Sequence, residues 1–204
     1  MIISHKYKFI FVKTRKTAGS TFEKLIRPHL GKDDICTGST RDGTDPLNCK
    51  PDTNGHLPLK DILNESFVDG HSGYDYFTIE RNPYDKVVSS YYWHQNIKPE
   101  QFGDMSFETY MKTCNLLPRD WKLYTINGKM LENMKVYKYE NIYFLYTMIK
   151  NKYGIDISME MVHNTRLKSG LRKVNDYREI HSDTTRKIVL DLFADEIKEF
   201  SYEF

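Results

Sequence analysis

Cysteine is scarce in this chain: three residues in 204, at positions 36, 49 and 114. They are odd in number and not spaced as metal ligands, so neither a disulfide framework nor a zinc site is implied, and a reducing cytoplasm is the expected setting. A Cys36–Cys49 bridge stays open as the alternative. Long apolar runs are also missing. No stretch approaches the length of a membrane-spanning helix, and residues 1–8 lack the apolar core of a signal peptide, so no integral membrane segment is expected. Charge of one sign is not in excess either. The formal net charge is +2, which argues against nucleic acid as a partner and requires any basic site to be local. There is no repeat, no low-complexity tract and no Asp/Glu motif that would hold a metal, so no metal cofactor is expected.

What is present is first a strand pattern. Phe9, Ile10, Phe11 and Val12 are four successive apolar residues without polar alternation, the signature of a strand covered on both faces. The run ends abruptly in Lys13-Thr14-Arg15-Lys16-Thr17-Ala18-Gly19-Ser20-Thr21. Phe22, Leu25 and Ile26 then recur at helical spacing. Strand, basic hydroxyl-rich loop and helix N-terminus make a place for an anion, because first-turn amides lack intrahelical acceptors and the helix dipole favours negative charge. The loop is not a Walker A motif: no glycine opens it, and Lys16 precedes Gly19 instead of following it. By itself the segment fits an ordinary basic strand-to-helix turn as well as an anion cradle.

Further along, 31–55 reads as a long Gly/Asp/Thr/Asn-rich loop, with a short helix at 59–64. A second strand is expected at 74–80, followed by a helix that Pro83 opens, with Val87, Val88, Tyr91 and Tyr92 as its buried stripe. Asn127-Gly128 signals a hairpin between 121–126 and 134–139. A helix is expected over 141–150. A long amphipathic helix is expected over 183–200, capped by Asp183, with Ile188, Leu192 and Ile197 near one face. Strands alternating with helices argue an α/β fold, and the length suits one domain spanning 1–204.

The second strand runs into Arg81-Asn82-Pro83-Tyr84-Asp85-Lys86-Val87-Val88-Ser89-Ser90-Tyr91-Tyr92. Arg81 falls at a strand's carboxyl end, where open α/β sheets bind ligands, and guanidinium suits bidentate phosphate recognition. The pair of segments resembles the two nucleotide motifs of the PAPS-dependent sulfotransferases, in particular the carbohydrate sulfotransferase branch that includes heparan sulfate 2-O-sulfotransferase. Lys16 to Thr21 resembles the Pro-Lys-Thr-Ala/Gly-Gly-Thr/Ser motif for the 5′-phosphosulfate. Arg81 to Tyr92 resembles the Arg-Asn/Asp-Pro…Ser-x-Tyr-Tyr motif for the 3′-phosphate. Arg15 stands where the family has proline, and Lys86 where it often has a second arginine. The segments 136–141 and 195–204 are similar to the family's late Glu-Asn strand end and its C-terminal aromatic helix.

The resemblance implies a P-loop-like three-layer α/β fold, with a central, mostly parallel sheet flanked by helices. It implies PAPS as donor cosubstrate and a hydroxyl acceptor, most plausibly a glycan. It gives Arg15, Lys16, Thr17, Ala18, Gly19, Ser20 and Thr21 to the 5′ end of the nucleotide, and Arg81 and Ser89 to its 3′-phosphate. Lys168, Arg172 and Lys173, in a basic stretch over 163–173 expected to be a loop, would close over the nucleotide. Lys16 would stabilise the leaving oxygen. His56 and His71 are the candidates for the base; His56 is preferred because His56 to Ile62 resembles the family's histidine segment. The acceptor site is expected near 31–55 and 95–117. A P-loop-like nucleotide kinase and a non-catalytic nucleotide-binding relative are the alternatives.

Overall fold

The structure is a computed structural model that describes residues 1–37, 55–64, 73–165 and 170–204. It divides into two compact units: Met1–Glu80 with Lys122–Leu167, and Arg81–Trp121 with Lys168–Phe204.

The first unit is α/β. Its strands are β1 (Ile2–Ser4), β2 (Phe9–Val12), β3 (Ile35–Cys36), β4 (Asp75–Glu80) and β5 (Met134–Lys138), in the order β3-β1-β2-β4-β5. β2, β4 and β5 pair in parallel, whereas β1 runs antiparallel to both β2 and β3. The sheet is therefore mixed: β2, β3, β4 and β5 run one way, as a mostly parallel sheet requires, and β1 runs against them. The cause is local: β1 and β2 are joined by only four residues, a connection that permits antiparallel pairing alone. Asp34 secures that corner. Its carboxylate accepts from the Ser4 hydroxyl and the His5 amide at 2.7 Å each, and from the Gly31 amide at 2.8 Å.

Phe9 and Phe11 of β2 and Phe77 and Ile79 of β4 pack with Phe22, Leu25 and Ile26 of α1 (Gly19–Ile26). Leu145, Tyr146 and Ile149 of α7 (Tyr143–Tyr153) complete this core, and every one of these residues is at most 7% exposed. At roughly 1.5–3 kcal/mol for each large apolar side chain removed from water, this cluster dominates the unit's stability. Helices α2 (Leu59–Asn64), α6 (Trp121–Tyr124) and α8 (Met159–Thr165) are short.

The second unit is helical in its described residues. α3 (Pro83–Ile97) is capped by the Asn82 side chain, which accepts from the Tyr84 amide at 3.1 Å, and Pro83 occupies the first helical position. Pro99 stops α3 and opens α4 (Pro99–Phe102). The expected stripe of Val87, Val88, Tyr91 and Tyr92 is buried against Phe107, Tyr110 and Met111 of α5 (Phe107–Thr113) and against Val189 and Phe193. Beneath α3, the Lys86 ammonium lies 2.9 Å from Asp120, with both side chains fully buried.

Three expectations of chain path are corrected. Asn127 and Gly128 do form a tight turn with positive φ and a reciprocal Ile126–Lys129 hydrogen-bonded pair. The hairpin ends there, however: 121–124 is helical and β5 pairs with β4. Sheet pairing outcompetes the local turn signal. The long C-terminal helix is broken into α9 (Asp183–Leu192) and α10 (Ala194–Phe200). Phe193, fully buried, takes φ −123° between them, so Leu192 ends 37% exposed instead of facing the core. The cap of α9 is Ser182, whose hydroxyl accepts from the Thr185 amide, and not Asp183. Finally, 159–165 is helical, so the basic stretch expected as a loop begins inside α8. Cys36 is a buried free thiol 3.4 Å from Arg27; the alternative Cys36–Cys49 bridge involves a residue outside the described ones. Cys49, His71 and Lys168 lie outside the described residues, as does most of the expected 31–55 loop; within its described part, β3 is a strand.

Candidate functional site

In the first unit the site is the loop that leaves β2. Thr14 turns inward, its hydroxyl donating to the Ile79 carbonyl of β4, and the Thr78 hydroxyl donates to the Val12 carbonyl at 2.7 Å. The Thr17 hydroxyl is fully buried, 2.8 Å from that of Thr14. Thr17 therefore anchors the loop from within. Lys16 (φ 62°) and Ala18 (φ 65°) both adopt the left-handed conformation, and Thr17 between them does not. Each such residue costs a non-glycine side chain about 1–2 kcal/mol, and strain of this kind gathers at ligand-binding loops. Alternating signs of φ turn successive amides toward one concave side, the geometry of an anion nest. Ala18 at the cap of α1 has no side-chain acceptor to offer the first-turn amides, which leaves the helix start suited to an external anion. Arg15, Lys16 and Ser20 are half-buried; Gly19 and Thr21 are buried.

Lys13 organises this loop. Its ammonium pairs with Glu23 of α1, and Glu23 also accepts from the Met1 amino group at 2.7 Å. Burial alone would raise the Glu23 pKa, but the two ammonium groups outweigh it and hold the carboxyl below its usual range. The stem of Lys13 lies against Gly19 so closely that a Cβ there would meet Lys13 Cγ at 2.9 Å. The Lys13 carbonyl lies 2.9 Å from His56 Nδ1. A carbonyl only accepts, so Nδ1 carries the proton, and in the neutral ring Nε2 holds the lone pair a general base needs. One residue thus joins the loop, the helix start and the histidine.

The second unit contributes a different cluster. Arg81, only 7% exposed, places Nε 2.8 Å and Nη2 2.6 Å from Asp85 Oδ2. Arg172 Nη1 lies 2.7 Å from Asp85 Oδ1. Arg81 and Arg172, expected in one site from distant segments of the sequence, thus share a single carboxylate. Ser89, one turn beyond Asp85 on α3, is half-buried, and Lys173 is exposed. Within the stretch expected to serve the acceptor, an open depression of about 500 Å³ is lined by Pro99, Gln101, Asp104, Met105 and Thr109 among others.

Sequence reasoning assigned no role to Lys13, Glu23 or Asp85. Asp85 had a signal in its i, i+4 spacing from Arg81. The burial of Lys13 and Glu23 had none, because both types are ordinarily solvent-facing. Among the described residues no group of three or more His, Cys, Asp or Glu side chains could hold a metal ion, and no helix is long and apolar enough to cross a membrane. Comparison with protein-family models, with curated proteins and with solved structures found no match.

Proposed function

We propose that this chain is a PAPS-dependent sulfotransferase of P-loop-like architecture that transfers a sulfuryl group to a hydroxyl of a carbohydrate. The observation that carries the reading is the His56–Lys13 contact, which sets a histidine with the base-competent tautomer against the strained, cation-bearing loop of Lys16. The Arg81–Asp85–Arg172 cluster supports it from the second unit as a concentration of guanidinium suited to a phosphate.

In this reading the acceptor hydroxyl loses its proton to His56 Nε2 as its oxygen attacks sulfur. The bond from sulfur to the bridging oxygen breaks in line, and Lys16 stabilises charge on that oxygen as adenosine 3′,5′-bisphosphate departs. Positioning and charge stabilisation dominate such a transfer, as in phosphoryl transfer. The loop over 15–21 takes the 5′ end of the nucleotide; Arg81, Ser89 and Arg172 take the 3′-phosphate. Glu23 and Lys13 hold the base and the loop in register.

The test is transfer from radiolabelled PAPS to a panel of glycans, lipids and phenols, alongside thermal shifts with three nucleotides. Adenosine 3′,5′-bisphosphate should stabilise the protein far more than AMP or ATP. Equal shifts with all three, or magnesium-dependent ATP turnover, would overturn the reading.

A further inference from the structure

Arg172 has polar atoms that its own fold does not satisfy. Its Nε and Nη2 are buried and have no hydrogen-bond partner among the described residues. Buried donors are almost always satisfied, because leaving one unpaired forfeits its hydration. Nε and Nη2 form one edge of the guanidinium plane, and that edge pairs side-on with two oxygens of a phosphate or carboxylate. Asp176 also feels the charge of Arg172, and it is already engaged by the Arg178 amide at 2.9 Å and the Arg178 guanidinium at 3.3 Å. The phenol of Tyr92, on α3, also senses the Arg172 charge.

What fixes that edge is Asp85. Its Oδ2 takes both Nε and Nη2 of Arg81, and its Oδ1 faces Nη1 of Arg172 at 2.7 Å, off the line of a directed hydrogen bond. Arg172 is therefore held by charge through its Nη1 corner, with the opposite edge turned away from Asp85. Two arginines and one carboxylate leave a net positive charge at this point, and without the carboxylate the two guanidinium groups would repel.

We propose that Asp85 is a positioning residue for an oxyanion site: it clamps Arg81 and Arg172 together so that the Nε/Nη2 edge of Arg172 is presented to a phosphate monoester. The proposal rests on the sulfotransferase reading for the identity of that monoester, the 3′-phosphate of the nucleotide. Removing a negative charge beside an anion site ordinarily tightens anion binding, but here it weakens it, because the arginines lose their registration.

The experiment is calorimetric titration of the full chain with adenosine 3′,5′-bisphosphate and with AMP, for the wild type, Asp85→Asn, Asp85→Glu and Arg172→Gln, with thermal melting of each. In the wild type the bisphosphate should bind much more tightly than AMP. Loss of the hydrogen bonds to one charged edge corresponds to roughly 10- to 100-fold in affinity. Asp85→Asn and Arg172→Gln should each weaken the bisphosphate by that factor and leave AMP unchanged. Asp85→Glu, which keeps the charge, should recover part of the loss. In the Arg172→Gln background, Asp85→Asn should cost less than it does alone. Asp85→Asn that tightens the bisphosphate, leaves it unchanged, or weakens both ligands equally overturns the positioning role. If Asp85→Asn does not fold, Asp85→Glu decides: an unchanged preference for the bisphosphate overturns the proposal. A wild type with no preference overturns the sulfotransferase reading itself, and the positioning role falls with it. The two failures are thus distinguished by the wild-type titration.

Discussion

Replacing Gly19 with alanine probes the packing on which the first-unit site depends. Gly19 is the first residue of α1, and a Cβ added there would lie 2.9 Å from Lys13 Cγ, 3.5 Å from Cε and 3.6 Å from Cδ. Cγ is near the root of the side chain and cannot swing clear, because the far end is fixed on Glu23 and Lys13 is 8% exposed. Alanine at a helical position returns up to about 1 kcal/mol through propensity. Overpacking a tight contact costs about 1–3 kcal/mol. The difference favours the clash, and Gly19→Ala should lower the unfolding free energy by about 1–2 kcal/mol in urea denaturation, on the scale of a single overpacked contact. The displaced Lys13 carries its carbonyl away from His56, so sulfuryl transfer should fall by more than the loss of folded protein explains. Truncating the obstructing side chain should undo the clash: in a Lys13→Ala background, Gly19→Ala should cost nothing or stabilise. A Gly19→Ala protein with an unchanged or higher denaturation midpoint would refute the reasoning.

Four further outcomes are expected. Asp120→Ala should destabilise the protein by about 3–5 kcal/mol in chemical denaturation by stripping the fully buried Lys86 of its carboxylate, whereas the paired change Lys86→Met with Asp120→Leu should restore most of the loss; equal stability of the single and paired variants would contradict this. Glu23 has a folded-state pKa below its ordinary 4.5, so its stabilisation is complete above pH 4.5 and is lost as pH falls below it. Glu23→Gln should therefore be less stable at neutral pH and show a flatter acid limb when unfolding free energy is measured from pH 6 to 3. Lys16→Ala should lower kcat about 10²–10³-fold, the loss typical of one oxyanion-type donor, with nucleotide affinity far less affected. His56→Ala should abolish transfer and keep bisphosphate binding, and wild-type turnover in that variant would remove His56 from the mechanism.

The strands at 9–12 and 75–80 and the helices at 19–26 and 83–97 were legible because their signals are local: an unbroken apolar run, an apolar stripe at helical spacing, proline at a first turn. The mixed character of the sheet was not legible, since Ile2–Ser4 is too short to carry a pattern and forms a strand only because β2 and β3 flank it. Neither was the break at Phe193, where burial of one aromatic ring overrides helical continuity. In the candidate site, the basic loop and Arg81 could be read from residue type and position.

Residue types and their order set the chemistry on offer: a cation-rich loop between strand and helix, an arginine at a strand end, and a histidine in a segment with no periodic role of its own. How those groups are engaged depends on the folded chain. It set His56 on the Lys13 carbonyl, buried Lys13 against Glu23 and Gly19, turned Thr17 inward, and joined Arg81 to Arg172 through Asp85. Residue identity fixes charge and hydrogen-bonding capacity, whereas burial and partner choice arise from contacts between separate segments of the chain, such as His56 with Lys13 and Arg172 with Asp85, whose spacing carries no local period.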